Sequence, residues 1–318
     1  MADQTSKVSL VRRNDRRENV FASLDLIRED VIPKLADQVM LKPNFLSSQN
    51  QLAATHPDAI RGAIDFLLTC PNPPQEILVA EGGNEKVPGQ AFETFGYHAL
   101  KDEYDVAIEL VDLNQETEWE QIPILLADRS EYIAHMPKTI LDCPCTISMA
   151  VAKTHDVCVV TLGLKNMIMG TLRKKDRVKM HGYPSHKERE LPREAQTLNI
   201  NLIRLVPHLG PDIAVIDGTV GLQGNGPGGK DAVDLGIAVA SADVFAADAV
   251  MAKAMGFDPG KLGLLHYAGE LGMGVTNLDK IEILDTELES VIQSFTPHEK
   301  TPQQLQWQDA DAAGYLHV

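Results

Sequence analysis

Val39-Met40-Leu41-Lys42-Pro43-Asn44 is a short apolar run that stops at a lysine, a proline and an asparagine. The apolar residues read as a strand, and proline ends it, leaving the flanking polar side chains at its carboxyl end. Thr55-His56-Pro57-Asp58 then reads as a helix start, with a capping candidate and a proline in the first turn ahead of Ile60, Ile64 and Leu67. A second strand, Glu76-Ile77-Leu78-Val79-Ala80, runs into Glu81-Gly82-Gly83-Asn84, whose glycines let backbone approach a ligand. The unit is β-α-β with polar groups at both strand ends, where ligands gather in open α/β sheets.

Upstream, Val20, Leu24, Ile27 and Val31 mark one face of a helix over 18–35. Downstream, 107–111 is strand-like and 114–120 is acidic and irregular. Residues 139–152 supply the next strand or strands, ending in Lys153-Thr154-His155-Asp156, and the apolar run 159–164 ends again in Lys165-Asn166. Residues 167–193 have no sustained apolar period and read as a long loop, a feature usually functional or disordered. A helix over 195–206, a strand over 212–216 ending in Asp217-Gly218, a glycine-rich loop over 224–229, a strand over 235–241 and a helix over 243–255 complete the pattern.

The expected fold is therefore α/β, a mostly parallel or mixed sheet with flanking helices. Residues 1–17 are read as an N-terminal extension and 18–293 as the α/β domain, arranged as two lobes, 18–125 and 130–293, around a central cleft. Residues 294–318 lose the punctuation and read as a tail, mobile or wrapped on a partner subunit, which is compatible with a homodimer.

A net charge of −16 repels nucleic acid and anionic membrane and favours solubility. One region departs from it: between Lys165 and Arg193 lie nine of the 29 Lys and Arg residues against three acids, Asp176, Glu188 and Glu190. RNA binding through this region is disfavoured by the overall charge and by Tyr183 being its sole aromatic. No run of 18 apolar residues and no apolar leader segment occur, so a cytoplasmic protein is expected. Four cysteines, Cys70, Cys143, Cys145 and Cys158, are too few and too irregular for a disulfide framework and are expected reduced.

Lysines ending neighbouring parallel strands would converge, and three ammonium groups together need an anion between them. The candidate site is thus Lys42, Asn44, Glu81, Lys153, His155, Lys165, Asn166, His181, Asp217 and Gly226, with a phosphate or carboxylate as guest. Alternatively each lysine pairs with a nearby acid such as Glu81, Asp156 or Asp217. Crowding can lower one lysine's pKa enough to make it a proton acceptor or Schiff-base former. Lys153, Lys165 and His155 are the expected catalytic groups, His155 as general acid or base.

His155, His181, His186, Glu81 and Asp217 offer metal-ligand chemistry, but without the tight spacing of a dedicated site, so no metal ligands are assigned. A divalent ion bridging a phosphorylated ligand to Asp217 or Glu81 fits better than a structural metal. The glycines at 224–229 either present N–H groups to phosphate or make a tight turn; they match neither phosphate-loop spacing. Asp243 reads as a helix cap, and Cys158 as buried and inert.

Taken jointly and in order, Lys42-Pro43-Asn44, Glu81-Gly82, Lys153-Thr154-His155, residues 161–166, His181, Asp217-Gly218, Gly224 to Gly228, Asp243 and Asp248 resemble the family catalogued as domain of unknown function 362, over roughly residues 39–283. The resemblance implies a fold more than a reaction. Some members append a ferredoxin-like run of cysteines; here Cys143-Pro144-Cys145 and Cys158 do not supply it, so an iron-sulfur cluster is not expected. A weaker likeness of layout links the family with nickel-pincer lactate racemases, where lysines and histidines hold a phosphorylated cofactor and move protons.

The reading of function that follows is an enzyme acting on a small anionic, phosphorylated or carboxylated metabolite by Lys/His acid-base chemistry, with isomerase, lyase and hydrolase reactions all compatible. The alternative is a non-catalytic ligand-binding or redox-accessory protein. Nucleic acid and membrane are not expected partners, and the cofactor is open.

Overall fold

A computed structural model describes residues 5–84 and 86–316. Eleven strands are found among them: β1 Ser6–Val11, β2 Gln38–Lys42, β3 Glu76–Glu81, β4 Ala107–Asp112, β5 Trp119–Leu125, β6 Glu131–Pro137, β7 Thr146–His155, β8 Val159–Thr161, β9 Ile213–Gln223, β10 Asp231–Ser241 and β11 Ile281–Asp285. Nine form one mixed sheet in the order β11-β1-β10-β9-β7-β2-β3-β4, with β8 paired to β7; β5 and β6 form a separate hairpin. Only β10 and β8 run against the other strands of the sheet.

The period-2 alternation of extended backbone sorts the side chains to two faces. In β2 and β3, Val39, Leu41, Ile77 and Val79 enter one apolar cluster, while Met40, Leu78 and Ala80 enter another. Helices α1 (Arg16–Leu26) and α2 (Pro57–Leu68) cover the first face through Val20, Leu24, Ile60 and Ile64. Helices α3 (Gly163–Thr171), α4 (Arg193–Leu209), α5 (Val244–Ala254) and α6 (Gly263–Leu271) cover the second through Ile168, Leu198, Val250 and Leu265. Covered on both sides, β7 is buried at all ten positions, as a central parallel strand must be.

The α/β sheet with flanking helices is as the sequence predicts, with several boundary corrections. Within the expected N-terminal extension, Ser6–Val11 is an internal strand between β10 and β11, its alternate apolar residues filling the sheet; residues 1–4 lie outside the described residues. The division into lobes at 125–130 falls inside the β5–β6 hairpin, and the single sheet runs across both proposed halves through the β2–β7 pairing. The segment after 294 packs back onto its own chain, burying Phe295, Trp307 and Leu316.

The strand predicted over 159–164 stops at Thr161, and Lys165 and Asn166 lie on the first turns of α3. The residues after it are short helical turns, among them Lys174–Asp176 and Arg177–Met180, rather than an unstructured loop.

Candidate functional site

Strands β2, β3 and β7 deliver Lys42, Glu81, Lys153 and His155 to the same carboxyl edge of the sheet, and α3 sets Lys165 and Asn166 beside them. The Lys42 ammonium and the Glu81 carboxylate form a buried ion pair. Lys42 Nζ also donates to Pro43 O (2.8 Å) and Asn166 Oδ1 (3.1 Å). Burial pushes the Lys42 pKa down, and the Glu81 carboxylate opposes that shift.

Asn166 is the hub of this network. Its Oδ1 accepts from Lys42 and from Asn44 Nδ2 (2.9 Å), and its Nδ2 donates to Lys42 O (3.2 Å) and Ser148 Oγ (3.0 Å). Both lone pairs and both amide hydrogens are thereby used. Asn44 Oδ1 in turn accepts from Lys153 Nζ (2.6 Å), which donates as well to Ala53 O (2.9 Å).

Lys153 is 1% exposed and has neutral hydrogen-bond acceptors and no ion pair. Burial first, then the nearby Lys165 and Lys42, push its pKa down to about 7. Lys165, 7% exposed, has neither a hydrogen bond nor an ion pair among the described residues. Its pKa is also lowered by burial, against the attraction of Cys158 and Asp156. Thr161 Oγ1 is buried without a hydrogen-bond partner beside the same cavity.

The histidines are held by different devices. His155 Nδ1 accepts from the backbone N–H of Val157 (2.9 Å) and Cys158 (3.3 Å), so the neutral ring carries its proton on Nε2. Asp156 Oδ1 lies 3.2 Å from the same Nδ1, but the fixed backbone donors decide the tautomer. His181 Nδ1 meets Glu194 Oε1 at 2.6 Å, so that carboxylate takes the Nδ1 proton and leaves Nε2 as an acceptor. The two rings stack with centroids 6.5 Å apart. Burial lowers both pKa values, that of His155 well below its ordinary range with Lys165 adding to the effect.

These groups line a cavity of about 530 Å³. Among the described residues its wall carries the basic side chains Lys153, Lys165, Lys174, Lys175, Arg177 and Arg189 and the acids Glu81 and Asp156. Both acids are already engaged, Glu81 with Lys42 and Asp156 with Arg189 at 2.8 Å. Arg189 also pairs with Glu194 and so ties the His181 support to the wall.

Of the residues expected at the site, Lys42, Asn44, Glu81, Lys153, His155, Lys165, Asn166 and His181 come together, Lys42 lying beneath the wall rather than on it. Asp217 does not join them: its carboxylate takes Arg16 Nε at 2.6 Å and the Thr219 N–H at 2.9 Å, away from the cavity wall. Gly226 is set by packing instead, since a Cβ there would collide with the Thr154 carbonyl; its neighbour Pro227 reaches the cavity. Asp156, Thr161, Arg177, Arg189 and Glu194 were not assigned to the site from sequence. The excess of basic residues over 165–193 was the signal for the two arginines.

Among the described residues no three His, Cys, Asp or Glu side chains converge as a metal site. The five side chains weighed for that role include His155, His181, Glu81 and Asp217, each engaged as described above. No helix among the described residues is long and apolar enough to cross a membrane.

The chain is 25% identical over 287 residues to the thylakoid-associated protein sll1697 of Synechocystis sp., covering 85% of this chain and 80% of that protein. The solved lactate racemase apoprotein from Thermoanaerobacterium thermosaccharolyticum is similar with a TM-score of 0.44 and 10% identity, covering 66% of this chain and 50% of that one. This chain therefore matches half the length of the racemase. With a family match over residues 39–253, the chain belongs to the family described as domain of unknown function (DUF362).

Proposed function

We propose that the protein is an enzyme that binds a small anionic metabolite, phosphorylated or carboxylated, and moves protons on it with lysine and histidine side chains. The observation that carries this reading is Lys165, a buried cation on the cavity wall with no hydrogen bond or ion pair among the described residues. Burying an unpaired charge is costly, and an anionic guest offsets that cost.

In this reading Lys165 and the wall cations hold the anion, and Lys153 with a pKa of about 7 accepts or returns a proton. His155, with its proton on Nε2, donates, and His181, oriented by Glu194, accepts. Isomerase, lyase and hydrolase reactions all draw on such transfers.

Titration calorimetry with inorganic phosphate, glycerol 3-phosphate and malonate tests the binding step. At least one is expected to bind with an affinity that falls in K165M. Heats indistinguishable from dilution for all three, with the wild-type protein folded, would remove the reading.

A further inference from the structure

We infer that Lys153 forms an imine with the carbonyl carbon of a small phosphorylated aldehyde or ketone, a reading that rests on the proposed anion site and names its substrate class. The argument begins with the amine's surroundings. Lys153 Nζ donates to two neutral oxygens, Asn44 Oδ1 and Ala53 O. No carboxylate among the described residues pairs with it, and Lys165 acts on it as a like charge, while the opposing pull of Glu81 is set against the repulsion of Lys42. All three features favour the free base over the ammonium ion. A primary amine has two hydrogens, and both are used. The third tetrahedral position, holding the lone pair, is left for the cavity that the side chain lines.

Lys42, which has the same residue type and comparable burial, differs in each respect: it is paired with Glu81 and bonded to Asn166. It is thereby committed to the network and unsuited to attack. Lys165 lacks neutral acceptors to hold an amine in one orientation, and it fits the role of anion partner. A buried free amine aimed into a cavity is a nucleophile for carbonyl carbon. Lys165, buried on the same wall without an ion pair among the described residues, favours a phosphoryl group on the same molecule.

The step is balanced as follows. The nitrogen lone pair adds to the carbonyl carbon, giving a carbinolamine after the proton moves from nitrogen to oxygen. Loss of the hydroxyl with a proton then yields the carbon–nitrogen double bond and one water molecule. His181, lining the cavity with Nε2 free among the described residues, takes up the proton and returns it to the departing hydroxyl, while His155 Nε2–H donates a hydrogen bond to the reacting oxygen.

The full-length protein is incubated with dihydroxyacetone phosphate, reduced with sodium borohydride, and analysed by intact mass and peptide mapping. Glycerol 3-phosphate, which has no carbonyl, is titrated in parallel by calorimetry. A single adduct on the peptide carrying Lys153, lost in K153M and of reduced yield but unchanged position in K165M, supports the inference. Circular dichroism of both variants establishes that they fold; if K153M does not, mapping in wild type and K165M decides alone. Glycerol 3-phosphate binding without any adduct, or with adducts only on other lysines, overturns the imine and leaves the anion site standing. Absence of binding by both phosphates removes the underlying reading as well.

Discussion

The Asp248 carboxylate accepts the backbone N–H of Gly163 at 2.7 Å and that of Leu164 at 3.2 Å, capping α3 from 85 residues away. Leu162, the residue before the helix, provides no side-chain cap of its own. An acid on α5 thus satisfies the open end of the helix that presents Lys165 and Asn166. Removing it in D248A should cost about 1–3 kcal/mol, because two buried donors lose their acceptor. Burial pushes the Asp248 pKa up to about 7 from an ordinary 3.8. With the folded pKa raised, its stabilising contribution is present at low pH and is lost as pH rises through about 7. Urea midpoints should therefore show D248N gaining on wild type between about pH 4 and 7 and no further above that; a constant difference would contradict this.

The Lys42–Glu81 pair should be intolerant of losing one member. K42M leaves a buried carboxylate without its partner and is expected to cost about 3–5 kcal/mol in urea unfolding. Gly170 lies against both groups, and a Cβ there would collide with Lys42 Nζ and lie 2.6 Å from Glu81 Oε2. G170A should therefore cost about 1–3 kcal/mol by overpacking. Because both changes act on one pair, the double variant should lose less than the sum. Strict additivity would mean that Gly170 does not act through the pair.

Lys165 makes an opposite prediction. K165M removes a buried cation that has no ion pair among the described residues, so stability should rise by about 1 kcal/mol. Anion affinity should fall at least about tenfold, the scale of a hydrogen bond to a charged group. Thermal unfolding and calorimetry measured on one preparation would expose a purely structural role, in which both quantities fall.

The buried histidines set the acid limb of stability. His155 and His181 have folded pKa values below their ordinary 6.5, so below that value the unfolded chain binds more protons and stability is lost as pH falls through it. Lys153 acts with the same sign in a higher window, stability rising with pH between about 7 and its ordinary 10.5. H181Q, which keeps a donor for Glu194, should flatten the dependence between about pH 7 and 5. An unchanged slope would assign it to other groups.

The last segment should be a fastened part of the core. Trp307 is 3% exposed, donates Nε1–H to Lys261 O at 2.7 Å and meets the Tyr267 ring edge-on. W307A is expected to cost about 3–5 kcal/mol, and limited proteolysis of wild type should spare the segment. Rapid cleavage there without loss of stability would restore the picture of a loose tail.

The strands that build the site were legible because each is short, apolar and closed by a residue that cannot continue it, as in Leu41-Lys42-Pro43 and Ala80-Glu81-Gly82. Their convergence followed from parallel order alone. The helical placement of Lys165 was not legible, since residues 159–168 are apolar at both strand and helix spacing and the capping acid is remote in sequence. Asp217 was read as a strand end, but β9 runs on to Gln223, leaving Asp217 in mid-strand beside Val151, where Arg16 reaches it from α1, a contact no local pattern announces. Glu194 and Arg189 looked like surface charges until folding set them against His181.

Gln304 Nε2 donates to the carbonyl of His155 at 2.9 Å, across 149 residues of sequence. During synthesis, β7 leaves the ribosome long before this amide does, so the wall around His155 cannot be finished until Gln304 has emerged. A nascent chain halted before that point would carry the sheet and the lysines but lack this brace on the carbonyl of His155.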